Sequence, residues 1–454
     1  MTRPLERKRG SRIFGAAWVL VAMTFIAFTV ADSITPYGIW AWSEDERLLS
    51  EARDRILAVR RGSVTIDLGA GNAGKAVQIE QVTHAFKFGS NAFGYNNTYS
   101  GGPFNATLNE TYTSYFRRLF NYATLPFYMG GYAARQAKLK EMTAMLQAEN
   151  ITVKGHPIIW QLTNQMPDEV ELSTNASYRK AWTEQYISNV LLNHTDVRIW
   201  DLVNEMTHVR NILIGSTAVE TWENAVATAR SVRGDCTFIA NEYSNIQPGD
   251  AATSDNDANV YYKFVERVVA DGYAPDALGF QGHEWMTAWV PMKDIVDTFD
   301  SFGRFKIPLH ITEFDPGSKE YYGGSRSIRR GPMTEASQAE LAVKAYTMFF
   351  SHPAVDAITW WAFMEDPWWR PELGDYMMSA EGRVLPIYDA LFDLIHVQWN
   401  STCTMVLDAL GRCNFTGYYG NYTATVSGSS PVSFAIVDAR APAERPWTTR
   451  DVLA

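Results

Sequence analysis

The chain has 454 residues, enough for an α/β barrel as one domain with further segments attached. Its net charge is −10, and of 40 basic and 50 acidic residues the first twelve positions hold Arg3, Arg7, Lys8, Arg9 and Arg12 against Glu6 alone, so the body is more acidic still. That sign of charge offers no stripe for a phosphate backbone and argues against nucleic acid as a partner, and none of the three cysteines has zinc-ligand spacing.

In chain order, residues 1–31 are the basic cluster followed by an unbroken apolar run at 13–30. This run fits a signal peptide cleaved near Thr29 and Ala31, and equally an uncleaved single-pass anchor, because 18 residues is near the lower limit for crossing a bilayer. Either reading exports the rest of the chain. Asn-x-Ser/Thr sequons agree, at Asn96, Asn105, Asn109, Asn150, Asn175, Asn193, Asn400, Asn414 and Asn421.

Residues 44–85 predict a surface helix at 44–61, then a β-hairpin from the alternating runs 64–68 and 76–82. The turn between them, Gly69-Ala70-Gly71-Asn72-Ala73-Gly74, matches the G-x-G-x-x-G of dinucleotide sites. A strand-like run follows where that motif needs a helix, so a hairpin loop is the better reading.

Residues 86–398 carry a repeating layout. Eight short apolar runs (85–93, 119–126, 151–160, 197–205, 237–243, 277–285, 307–315 and 357–366) alternate with helical stretches such as 134–149, 178–193, 218–232, 259–271 and 337–351. Eight strands separated by helices predict a closed (β/α)8 barrel rather than an open doubly wound sheet. Residues 399–454 read as a small β appendage, in which Cys403 and Cys413 lie close enough in sequence to pair outside the cell, while Cys236 reads as a buried thiol.

In such a barrel the active site forms at the C-terminal strand ends. Those ends read Gly155-His156-x-x-x-Trp160, Trp200-Asp201-x-Val203-Asn204-Glu205, Asn241-Glu242-Tyr243-Ser244-Asn245, Gly279-Phe280-Gln281-Gly282-His283, Ile311-Thr312-Glu313-Phe314-Asp315 and Ile358-Thr359-Trp360-Trp361. Carboxylates, amides and indoles together make a sugar-binding composition. Glycoside cleavage needs two carboxyls, and Glu205 and Glu313 stand at the ends of the fourth and seventh runs, on opposite sides of the mouth. Singly, each strand-end Glu reads as a salt-bridge partner and each His or Trp as a core or rim residue.

By these segments, in their order and spacing, residues 86–394 resemble glycoside hydrolase family 10, the xylanase family. The resemblance implies Glu205 as acid/base and Glu313 as nucleophile of a retaining enzyme. It implies that Asn204 bonds the sugar 2-hydroxyl, His283 holds Glu313 with Asp315 orienting it, and Gln281 sits near Glu205. His156 and Trp160 would line the subsite of the cleaved sugar, with Trp361 and Trp369 as stacking faces. The implied partner is a polysaccharide, and no metal or organic cofactor is implied. One departure stands out. Where the family's second strand carries a Glu-Asn pair and a Lys that grip hydroxyls, this chain aligns Pro126, Phe127 and Gly130, and the usual His after the third-strand Trp is Gln161. Endo-β-1,4-xylanase activity is the leading expectation. A different β-glycan or transglycosylase specificity, and a non-catalytic tethered binder, are the alternatives.

Overall fold

A computed structural model describes residues 40–95, 105–162, 165–208, 215–286, 289–319, 333–366, 370–440 and 444–453. Two compact units are distinguished, Met1–Arg47 and Leu48–Ala454. The first is described only from residue 40, where a helix (Trp40–Val59) begins. The apolar run 13–30, Asn96 and Trp369 lie outside the described residues. No described helix is long and apolar enough to cross a membrane.

After β1 (Arg61–Asp67) and β2 (Ala76–His84) come the barrel staves. They are β3 (Lys87–Asn91), β4 (Tyr122–Pro126), β5 (Thr152–His156) with its short continuation β6 (Ile159–Trp160), β7 (Ile199–Asn204), β8 (Thr237–Glu242), β9 (Ala277–Phe280), β10 (Leu309–Phe314) and β11 (Val355–Trp360). Every neighbouring pair is parallel, and pairing of Lys154 with Ile199 and Gly155 with Trp200 closes the ring between β5 and β7. The eight-stranded parallel barrel expected from the alternating runs is therefore present. Staves β4, β7, β9 and β10 are buried at every residue, as parallel strands with covered faces must be. Their continuous apolar runs follow from that burial.

Several intervening helices bury one stripe each, whereas the helix Glu335–Ser351 is buried at every residue of 345–351. In the helix Ala218–Val232 that stripe is Thr221, Trp222, Ala225, Val226 and Ala229, which are three or four residues apart and so share a face. Thr217 caps its start by accepting from the Glu220 amide, and Asn256 and Thr334 cap the helices Asp257–Ala270 and Glu335–Ser351 in the same way. Between β5 and β7 the closure needs a glycine. A Cβ on Gly155 would stand 2.2 Å from the Trp200 indole, so only a bare backbone lets the two strands meet.

After a two-stranded pair, β12 (Ala362–Met364) and β13 (Tyr376–Met378), the chain forms β14 (Cys403–Val406), β15 (Arg412–Tyr418), β16 (Gly420–Val426) and β17 (Val432–Ile436). Here the structure corrects two expectations. The runs at 64–68 and 76–82 form no hairpin, because β1 pairs with β15 while β2 lies between β14 and β16. The glycine-rich turn carries the chain from one sheet to the other, with Gly74 N–H donating to the Leu407 carbonyl. Ile66, Val77, Ile79, Phe415, Tyr422 and Ile436 fill the core they share. The early strands and the late appendage are thus one folding unit. The expected Cys403–Cys413 disulfide is also absent, and both residues are thiols. Each is fixed by its own ladder, Cys403 opposite Ile79 and Cys413 opposite Ile66, in different sheets facing the same core.

Candidate active site

Because all staves run parallel, their C-terminal ends open on one face, around a cleft of about 480 Å3. Glu205 and Glu313 both line it, with Tyr128, His156, Trp160, Asn204, Tyr243, Gln281, His283, Trp361 and Arg370 among the other walls. The pairing of β7 with β8 shifts register between Asp201 and Val203, and Glu205 just beyond has φ +58°. A left-handed backbone is uncommon for a residue with a Cβ and turns the chain sharply out of the strand. The Glu205 amide is held there by the Asn241 carbonyl at 2.8 Å.

Amide side chains join the two carboxyls. Asn241 Nδ2 donates to Glu313 Oε1 at 2.8 Å and to Asn204 Oδ1 at 2.7 Å. Gln281 Nε2 reaches Asn204 Oδ1 at 3.4 Å and donates to Glu205 Oε1 at 3.0 Å. The other Glu205 oxygen accepts from the Trp160 indole at 3.0 Å. On the far side, His283 Nε2 lies 3.2 Å from Glu313 Oε2 and its Nδ1 2.8 Å from Asp315 Oδ1. His156 turns its Nδ1 to Asp201 at 2.7 Å and its Nε2 towards Glu313 at 3.8 Å.

These surroundings bias the two carboxyls in opposite directions. Burial, then the charge of Glu313, raise the proton affinity of Glu205 against the bonds from Gln281 and Trp160. Burial acts on Glu313 in the same sense, but His156, the bond and charge of His283, and Lys154 outweigh it and leave Glu313 lowered. His283 is itself raised well above an ordinary imidazole, because Asp315 and Glu313 together overcome the effect of burial. One carboxyl is biased towards holding a proton and the other against it.

Of the residues singled out in the sequence, Glu205, Glu313, His156, Trp160, Asn204, Gln281, His283, Asp315 and Trp361 converge here. His156 and Trp160 do more than line the cleft, since each also approaches a carboxyl. Phe127 is not in the cleft. It is buried against His194 and Trp200, and its neighbour Tyr128 faces the cleft instead, edge-on to His156 and close to Trp160. Asn241 and the fully buried Lys154–Asp201 pair, with Nζ to Oδ2 at 2.6 Å, were not singled out. The position of Asn241 inside the Asn-Glu-Tyr run was the signal that could have found it.

Residues 130–393 match the sequence profile of Glycosyl hydrolase family 10. The chain belongs to that family. Among curated relatives of this family 10 protein, Endo-1,4-beta-xylanase 2 of Arabidopsis thaliana is 24% identical over 421 residues, covering 88% of this chain and 36% of that one. Anti-sigma-I factor RsgI6 of Acetivibrio thermocellus is 22% identical over 397 residues, covering 86% and 48%. This chain thus spans less than half the length of either relative. Among solved structures, native xylanase 10B from Thermotoga maritima superposes with a TM-score of 0.57 at 20% identity, over 69% of this chain and 96% of that one. At that identity the likeness speaks for the fold.

Proposed function

We propose that this protein hydrolyses a β-linked polysaccharide, with β-1,4-xylan the first candidate, by double displacement through a covalent glycosyl-enzyme. The observation that carries the reading is the opposed bias of two glutamates in one cleft. Glu313, ionised and held by His283 and Asn241, attacks the anomeric carbon. Glu205 gives its proton to the departing oxygen, then takes one from the water that releases the sugar. Trp160 and Gln281 fix the Glu205 carboxyl for both steps. Asn204, held by Asn241 and Gln281, presents its amide to the sugar 2-hydroxyl. The xylan assignment is supported by the family and by the relative named as a xylanase.

The test is a panel of β-glycans with purified protein, followed by trapping with an activated 2-fluoro-xylobioside and peptide mass spectrometry. We expect reducing sugar from xylan, label on Glu313, and loss of both in Glu313→Gln. Turnover by Glu313→Gln at the parent rate would end the reading.

A second reading, another β-glycan or transglycosylation on the same two carboxyls, is favoured by the cleft wall. Tyr128 and Trp361 line it with rings, and Pro126, Phe127 and Gly130 stand where the resemblance expects hydroxyl-gripping polar side chains. A site that loses such partners changes substrate preference more than reaction type. Strong activity on a glycan other than xylan would select it, whereas ligand binding without turnover or trapping would point to the tethered binder. Export, by secretion or an anchor at 13–30, belongs to the same proposal. It is supported by the sequon asparagines, because none of the eight that are described is buried. A downward mobility shift with an N-glycosidase on protein from a eukaryotic host would check it.

A further inference from the structure

One more buried acid bears electrostatically on the chain of contacts that runs back from Glu313 through His283 to Asp315. Asp375 immediately precedes β13 and is fully buried. Its segment is pinned. Ser318 Oγ and Gln338 Nε2 donate to the Gly374 carbonyl at 2.7 and 2.9 Å, and the amides of Ser318 and Lys319 both donate to the Leu373 carbonyl at 2.9 Å. Gly374 has φ +65°, and a Cβ there would stand 2.3 Å from Ser318 Oγ, so the backbone has little room to turn the carboxyl elsewhere.

Among the described residues neither Asp375 oxygen meets a hydrogen-bond partner beyond its own amide. The charged groups it faces are Asp315, of like sign, and His283 and Arg370, of opposite sign. Lys319 passes nearby but directs its ammonium to the Pro371 carbonyl at 2.9 Å and the Tyr376 hydroxyl at 3.3 Å. Two buried carboxyls side by side do not both ionise cheaply. Asp315 already carries its charge against the His283 imidazolium at 2.8 Å, so the proton falls to Asp375.

We infer that Asp375 is a fourth, positioning member of this chain, a carboxyl kept neutral beside Asp315 whose ionisation tightens the hold on the His283 imidazolium. The inference rests on the reading of Glu313 as nucleophile. While Asp375 is neutral, His283 faces the charges of Asp315 and Glu313, the neighbouring Glu284 carboxyl being biased towards its neutral form by burial, and Glu313 ionises without a further charge beside it. Burial, then Asp315, push Asp375 up to about 8, so this holds through the neutral range.

The test uses the full chain with 15N-labelled histidine, followed by NMR from pH 5 to 10 without substrate, the His283 ring being assigned with His283→Asn. In the parent protein the ring shifts should move in a step near pH 8 while the ring stays doubly protonated. In Asp375→Asn that step should vanish, and His283 should lose its proton roughly one pH unit lower, for want of the added negative charge at position 375. Absence of the step in the parent protein overturns the inference without recourse to any variant, as does identical titration in both. The 2-fluoro-xylobioside label separates the two ideas. A His283 step without label on Glu313 upholds the coupling and defeats the nucleophile assignment, and label without the step does the reverse.

Discussion

Replacing Trp160 with Phe removes a single N–H, 3.0 Å from Glu205 Oε2, and leaves an aromatic ring in the cleft. That N–H stabilises the ionised carboxyl, so its loss reinforces burial, the largest influence raising the proton affinity of Glu205. A hydrogen bond to a charged group is worth about 1.5–3 kcal/mol. Glu205 keeps the Gln281 amide at 3.0 Å and opens on the cleft, so the lower end applies, and about 1.4 kcal/mol corresponds to one pH unit. The assay is kcat/KM against pH on a polymeric β-glycan, whose poor leaving group needs the Glu205 proton; the alkaline limb then reports the free enzyme's acid. We expect that limb to move about one unit to higher pH in Trp160→Phe. A change in KM from altered stacking would not move it. A limb that stays in place, or moves to lower pH, refutes the assignment of Trp160 as the donor that holds Glu205 down.

Three further outcomes follow from the packing. Lys154→Met leaves Asp201 buried with His156 as its remaining hydrogen-bond partner and should cost about 3–5 kcal/mol in urea unfolding at neutral pH. Burial opposes the Asp201 charge, but Lys154 and His156 depress its folded proton affinity. Its stabilisation is therefore present above the unfolded value and lost as pH falls through the folded one, and the gap between parent and variant should narrow in acid. Gly155→Ala drives a methyl into the Trp200 ring and should lower the melting temperature by calorimetry, with an overpacking cost of about 1–3 kcal/mol or more and reduced turnover because His156 is adjacent. Tyr128→Ala removes a ring from the sugar side and should raise KM for a β-glycan roughly tenfold, an aromatic contact contributing about 0.5–1.5 kcal/mol beyond area, while labelling of Glu313 persists.

How far the sequence could be read depended on the distance over which each feature is determined. The staves were legible because burial on both faces leaves uninterrupted apolar runs such as 199–204 and 309–314. Glu205, Glu313 and His283 were legible because a parallel barrel brings every strand end to one face, so residues far apart in the chain become neighbours by topology alone. The partner of β1 was not, since Ile66 pairs with Cys413 and nothing local distinguishes that pairing from a hairpin across the glycine turn. Lys154 escaped because a lysine in a strand looks like a solvent residue until Asp201 is seen beside it. At Tyr128 the error was one of direction. The chain has left the strand by then, so alternation no longer tells which side chain faces the cleft, and the sequence points to Phe127 where the structure places Tyr128.

The interleaving of β1 and β2 with β14, β15 and β16 bears on how this protein can be handled. A fragment trimmed to residues 86–398 would have a whole barrel on paper, yet it would discard both halves of a small shared core. Cutting at one end only would strip partners from strands at the other and bare an adhesive sheet edge. Because Leu48, Leu49, Ala52, Ile56 and Trp447 also pack into the main core and Thr449 bonds Asp300, expression designs, tags and protease sites are best placed outside residues 48–449, and a clipped preparation that precipitates should be examined first for loss of either tail.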